Sequence, residues 1–335
     1  MWPVRDGADH ISLDESRRWC AEVTRARAAN FYWGLRLAPE DRRPDLYATY
    51  AWMRIADDIA DGDEAQGGAA HQSRAERART LDMFERATNA ALDADVADAV
   101  RGANAVSGHR WTALWPAFVH ACASHPIDRG WWAASLEGMR EDLDHRGYAS
   151  MSDLERYCYR VGSTVGLVCV AIWGLRRGAS THIARHAAIA RGVSFQLTNI
   201  LRDVGVDAAL NPPRCYVPEA ELDGQSITHA HLLAWSRPQQ CECVIRGMID
   251  RAQSLRRESM ALDGVVNGDC LPVLRAMSNI YWRLLDKLDA QPSQAVAVPA
   301  IRVATIEKIG CVVGALWHGE DEKHALALPR AERTP

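Results

Sequence analysis

The chain has 335 residues, 48% of them hydrophobic, and a formal net charge of −4 from 39 basic and 43 acidic side chains. That length allows one large domain or two. Near-neutral charge with interspersed signs removes the electrostatic case for a nucleic-acid partner, and no window approaches the roughly 18 apolar residues that a membrane span needs.

The N-terminal "MWPVRDGADH" has no apolar run behind a basic start, so no secretory signal is read there. Strand signals are weak from there on, while Ala, Leu, Arg and Glu abound. Apolar periodicity predicts helices over 13–33, 41–61, 72–90, 111–124, 128–143, 152–175, 180–208, 229–261 and 267–289. Breaks fall at "LAPEDRRP" (37–44), "DGDEAQGG" (61–68), "NPPR" (211–214) and "AQPSQ" (290–294). No linker is long enough to split the chain and no internal repeat appears. The expectation is a single all-α domain with its core over about 13–310 and a charged, mobile tail over 320–335. Within it, "VGLVCVAIWG" (165–174) reads as a buried helix, and Trp111, Trp115, Trp131 and Trp132 as packing residues. The nine cysteines lack C-x-x-C spacing, Cys241 and Cys243 being nearest, which fits reduced thiols in a cytosol better than disulfides or zinc. His182 and His186 are four apart but have no acidic third ligand.

Two helices carry acids at matched spacing. In "YATYAWMRIADDIAD" (47–61), Tyr50, Arg54, Asp57 and Asp61 share one face; in "QLTNILRDVGVD" (196–207), Asn199, Asp203 and Asp207 do the same. A third D-x-x-x-D pair, Asp41 and Asp45, is interrupted by Pro44. The first two pairs are set among apolar residues, and each has an arginine close by (Arg54, Arg202). Two readings stand. The acids are ordinary members of solvated helix faces, or the helices face each other across a cavity and their carboxylates hold Mg²⁺. Mg²⁺ on a diphosphate stabilises the charge that grows as a C–O bond breaks, and arginine forks suit phosphate oxygens. The second reading therefore points to ionisation of an organic diphosphate, with an apolar, π-rich wall to shield the cation. "YCYRVGSTVGLV" (157–168) offers such a wall, with Tyr157, Val161, Val165 and Val168 on one face and Gly162 and Gly166 leaving room for a close neighbour. Plain helix packing explains those glycines equally well.

The stretches 30–61, 136–166 and 195–222, with a weaker echo in "NIYWRLLDKL" (279–288) and "IRVATIEKI" (301–309), resemble the squalene/phytoene synthases in order and spacing. These are trans-isoprenyl diphosphate synthases that join two prenyl diphosphates head to head. The resemblance implies an all-α isoprenoid synthase fold with a central cavity, and Mg²⁺ or alternatively Mn²⁺ as cofactor. It places Asp57 and Asp61, with Asp58 nearby, in a first metal motif and Asn199, Asp203 and Asp207 in a second. It puts Tyr50, Arg54, Arg202, Arg214 and Arg302 on diphosphate, and Phe31, Tyr157, Val161, Gln196 and Tyr281 along the prenyl pocket. Of these, Tyr50, Arg54, Tyr157 and Arg202 would carry catalysis. The implied reaction condenses farnesyl or geranylgeranyl diphosphate through a cyclopropyl diphosphate to a squalene-type product or phytoene, for carotenoids or hopanoids.

Three departures from the family pattern stand out. "RAANF" supplies Arg27, Ala28 and Asn30 where a His and two Ser often precede the Phe, Val206 replaces a usual Glu, and "NPPR" replaces a shorter Gly-Arg turn. Asn before Phe occurs in the hydroxysqualene-forming branch, so addition of water to presqualene diphosphate is the alternative. A non-catalytic assembly factor is a third, set against the retention of both acidic motifs. No dinucleotide-binding glycine motif supports NADPH-dependent reduction. The expected location is cytoplasmic, with peripheral membrane contact for product release left open.

Overall fold

The computed structural model describes residues 11–28, 30–62, 73–93, 95–108 and 110–327, excluding the side chains of Asn30, Phe31, Trp33 and 317–327. Phe31 as a pocket residue and the tail beyond 327 therefore lie outside the described residues.

The chain begins with α1 (Leu13–Arg27), α2 (Asn30–Leu35), α3 (Arg43–Asp61), α4 (Arg74–Asp93), α5 (Val96–Ser107) and α6 (Trp115–Ser124). Then come α7 (Arg129–Leu143), α8 (Met151–Cys158), α9 (Thr164–Trp173) and the long α10 (Thr181–Ala208). It closes with α11 (Glu219–Gly224), α12 (His229–Leu233), α13 (Pro238–Ser259), α14 (Ala261–Val265), α15 (Leu271–Ala290) and α16 (Thr305–Ala327). Among the described residues there is no strand, only one isolated bridge between Leu175 and Val266. The all-α expectation holds.

The helix boundaries follow local chemistry. Ser12 and Glu15 form a capping box on α1. Gly62 ends α3 with φ 69°, a left-handed turn that glycine enters without a Cβ penalty, and so fixes Asp61 as the last residue of that helix. The helix expected over 13–33 breaks after Arg27, and the one expected over 229–261 breaks before Pro238, which opens α13. A π-helical turn, Tyr159–Ser163, joins α8 to α9. Helices α5, α11, α14 and α16 are additions to the sequence reading, and α16 carries helix to Ala327, into the stretch expected to be tail.

Two hydrophobic cores result. The first centres on Trp52 of α3, whose ring lies 4.6 Å from Trp132, 5.3 Å from Phe84 and 5.9 Å from Phe118. Trp115 and Trp132 are fully buried in it, and Trp111 and Trp131 pack partly buried against it. The second gathers Ile200, Leu201, Ile245, Met248 and Leu285 from α10, α13 and α15. Val161, on the π turn, packs against both. No helix among the described residues is long and apolar enough to cross a membrane.

Candidate active site

Where the cores meet there is a cavity of about 470 Å³, walled chiefly by α3, α9, α10 and α15. Tyr281 faces Asn199 near one end, and Ser278 meets Arg191 further in, with Nη1 donating at 3.1 Å. From Asn199 to Ala188, both on the wall, α10 runs about 16 Å. The inner end is apolar and closed: Leu46 and Trp173 line it at 2% and 3% exposure. Close backbone approach shapes one side. A Cβ on Gly192 would lie 2.3 Å from Ser163 Cα, and one on Gly162 would lie 2.6 Å from the Gly192 carbonyl. The space that the sequence assigned to Gly162 is therefore used by α10.

The outer end is charged. Arg54 Nη1 meets Asp57 Oδ2 at 2.6 Å, and Asp57 lines the cavity. Asp58 takes a different role from the one implied by its motif. Its side chain is wholly buried, bonded by Arg27 Nη2 at 2.9 Å to each oxygen and paired with Arg54. One step along the helix from Asp57, it turns roughly 100° away and has no face left for a metal. Arg202 grips its neighbour Asp203 with two donors, Nε at 2.8 Å and Nη2.

Arg214 joins the two helix ends. Its Nη1 donates to Asp61 Oδ1 at 3.1 Å and its backbone N–H donates to the Asp207 carbonyl at 2.9 Å. The α3 and α10 motifs thus converge on one locus, as the facing-helices reading requires. Their charges are crowded. Desolvation, then the charge of Asp61, raises Asp57 above the usual carboxylate range, with Arg54 opposing. Desolvation and then Asp203 push Asp207 up to about 7. Excess negative charge is what a divalent cation relieves. Among the described residues no three His, Cys, Asp or Glu side chains are gathered as a metal cage.

The aromatic and amide residues are brought together as expected, with one exception. Tyr50, Val161, Gln196, Asn199 and Tyr281 all line the cavity. Burial pushes the Tyr50 phenol up to about 12. Asn199 donates to Gln196 Oε1 at 3.3 Å and to the Tyr281 hydroxyl at 3.4 Å, and Tyr281 stacks on Phe195 with centroids 4.1 Å apart. Tyr157 is the exception. The π turn adds about one residue to the spacing after it, so Tyr157 leaves the Val161–Val165 face and its hydroxyl donates to Asp142 at 2.8 and 2.9 Å. Val168 is likewise in the core rather than on the wall. Arg302 is exposed and absent from the lining; its carbonyl accepts from Lys287 at 3.3 Å.

Among the residues that the sequence reading missed are Asp142 and the wall residues Phe195 and Arg191. Asp142 sits among other charges in "REDLDHR" with nothing to single it out. The interrupted pair also resolves: Asp45 is buried against His125 at 2.8 Å and Asp41 is exposed. His182 and His186 are exposed, and all nine cysteines are free.

Comparison with known proteins places this geometry. The sequence pattern of the squalene/phytoene synthases matches residues 24–307. Phytoene synthase 3 of Zea mays is 31% identical over 273 residues, covering 81% of this chain and 58% of its own length. Phytoene synthase 2 of Solanum lycopersicum is 31% identical over 281 residues, 83% of each chain. A dehydrosqualene synthase crystallised with a ligand superposes with TM-score 0.70 at 22% identity, over 92% of this chain and 98% of that one, a likeness of fold. With the match running from the last turns of α1 into α16 and both acidic helices inside it, the chain belongs to the squalene/phytoene synthase family.

Proposed function

We propose that the protein joins two prenyl diphosphates, farnesyl or geranylgeranyl, head to head through a cyclopropyl diphosphate to a squalene-type hydrocarbon or phytoene. The observation that carries this is the meeting of the two acidic helix ends, tied by Arg214, next to the Asp57 and Asn199 end of an apolar cavity. Asp57, Asp61, Asn199, Asp203 and Asp207 would hold Mg²⁺, with Mn²⁺ as the alternative. The cation supplies Lewis-acid stabilisation of the departing diphosphate.

The chain's own residues do the rest. Arg54, Arg202 and Arg214 present guanidinium forks to diphosphate oxygens. The buried end excludes water from a reactive carbocation. Tyr50 and the stacked Phe195–Tyr281 pair set π faces along its path. The water-adding alternative rests on Asn30, whose side chain is outside the described residues, and the matched relatives carry the names of condensing synthases. A hydrocarbon product must leave for lipid, and the exposed stripe Ile306, Ile309, Val313 and Leu316 on α16 supports peripheral membrane contact.

The test is incubation of the purified protein with Mg²⁺ and each prenyl diphosphate, reading diphosphate release and product mass. Release is expected from the wild type and its abolition in Asp57→Ala and Asp203→Ala; full turnover in both variants would overturn the reading.

A further inference from the structure

Asp142, near the end of α7, is held by phenols from two distant segments. Its Oδ1 accepts from Tyr216 at 2.7 Å and from Tyr157 at 2.9 Å, and its Oδ2 accepts from Tyr157 at 2.8 Å. Tyr148 packs over both rings, 5.5 Å from Tyr157 and 6.1 Å from Tyr216. His145 lies 4.6 Å from the Tyr216 ring, with Nε2 3.0 Å from the backbone of Cys215. Further on, the N–H groups of Glu219 and Ala220 donate to the carbonyls of Tyr148 and Ala149 at 2.9 and 3.1 Å. Residues 211–218 form neither helix nor strand, so these bonds fix where that segment lies. Arg214 is two residues before Tyr216.

We propose that Asp142 is a positioning residue: by anchoring Tyr216 it sets the guanidinium of Arg214 between the two acidic helix ends, and so prepares the mouth for a metal-bound diphosphate. The inference rests on the reading of that mouth given above. It accounts for a half-buried carboxylate held by two phenols beside the site, where it adds negative charge. Its charge also acts on Arg214. Tyr157, displaced from the wall by the π turn, becomes the second bolt on the anchor.

A double-mutant cycle tests it. Wild type, Asp142→Asn, Arg214→Gln and the double variant are titrated by calorimetry with inorganic diphosphate in Mg²⁺, and turnover is measured alongside. Removing an outer partner of a metal site weakens it roughly 10–100-fold, and that loss is expected in Asp142→Asn. Because Asp142 acts through Arg214, the double variant should be no worse than the weaker single one. Tyr216→Phe keeps the ring and deletes the bond; it should show a smaller loss that also vanishes in the Arg214→Gln background, and it carries the cycle where Asp142→Asn does not fold. Additive losses, or diphosphate affinity unchanged in both Asp142→Asn and Tyr216→Phe, would overturn the proposal while leaving the site reading intact. A wild type that binds no magnesium diphosphate defeats both.

Discussion

The two acidic helix ends share a spacing and differ in how their charge is met. At the end of α3, three guanidiniums are already engaged: Arg27 and Arg54 on Asp58, Arg54 on Asp57, and Arg214 on Asp61. At the end of α10, Arg202 grips the adjacent Asp203, while desolvation and then the charge of Asp203 push Asp207 up to about 7. The first motif is thus partly structure, since one of its three carboxylates is walled in. Each motif carries an acid raised to about 7, Asp57 in the first and Asp207 in the second, and both gain from a cation; the second simply has fewer guanidiniums already engaged. A D-x-x-x-D spacing reports which side chains share a face; what neutralises them is decided by residues far away in sequence.

The sharpest way to break this contrast is to remove the walled-in carboxylate. Asp58→Asn strands two guanidiniums at a buried site and should cost roughly 3–5 kcal/mol of stability, read as a lowered denaturant midpoint, whereas Asp57→Asn at the 41% exposed neighbour should not. Equal stability losses would erase the distinction. A smaller effect follows from pH. Asp57 and Asp207 are both raised to about 7 in the folded chain from an ordinary 3.8, so between those values the native state keeps protons that the unfolded chain has lost. Stability of the metal-free protein should therefore fall as pH rises across that window. Mg²⁺ needs the carboxylate, so its affinity should climb to about pH 7 and then level. Melting temperatures with and without Mg²⁺ at pH 5.5 and 8 test this; an identical Mg²⁺ increment at both would count against it. Smallest of all, Arg302→Ala should change turnover less than twofold, because its side chain is exposed and off the cavity wall; a large loss would restore it to the site.

What could be read from the sequence was local. Asp57 with Asp61, and Asn199 with Asp203 and Asp207, follow from helical periodicity alone, and the all-α architecture from the scarcity of strand signals. What stayed hidden depends on partners that are not local or on a break in the period. Tyr157 leaves the wall because five residues adopt a π turn, which no apolar spacing announces. Asp142 gains its role from Tyr157 and Tyr216, 15 and 74 residues away. Asp58 and Asp57 are adjacent and look interchangeable until Arg27, 31 residues from Asp58, is brought against one of them. The short helix α5 fell between two stronger patterns, and Pro238 divided a run that had read as one helix.

Arg191 gives the tunnel a polarity of its own. Its guanidinium, 5% exposed, is set into the hydrocarbon wall by Ser259, Ser278 and Asp263, and Asp263 is shared with Arg275. Arg191 lines the cavity, so a guanidinium paired with Asp263 stands in the oily part of the channel, away from the carboxylates outside. An electron-deficient carbon formed in this space would meet that guanidinium if it drifted inward, and like charge disfavours the approach.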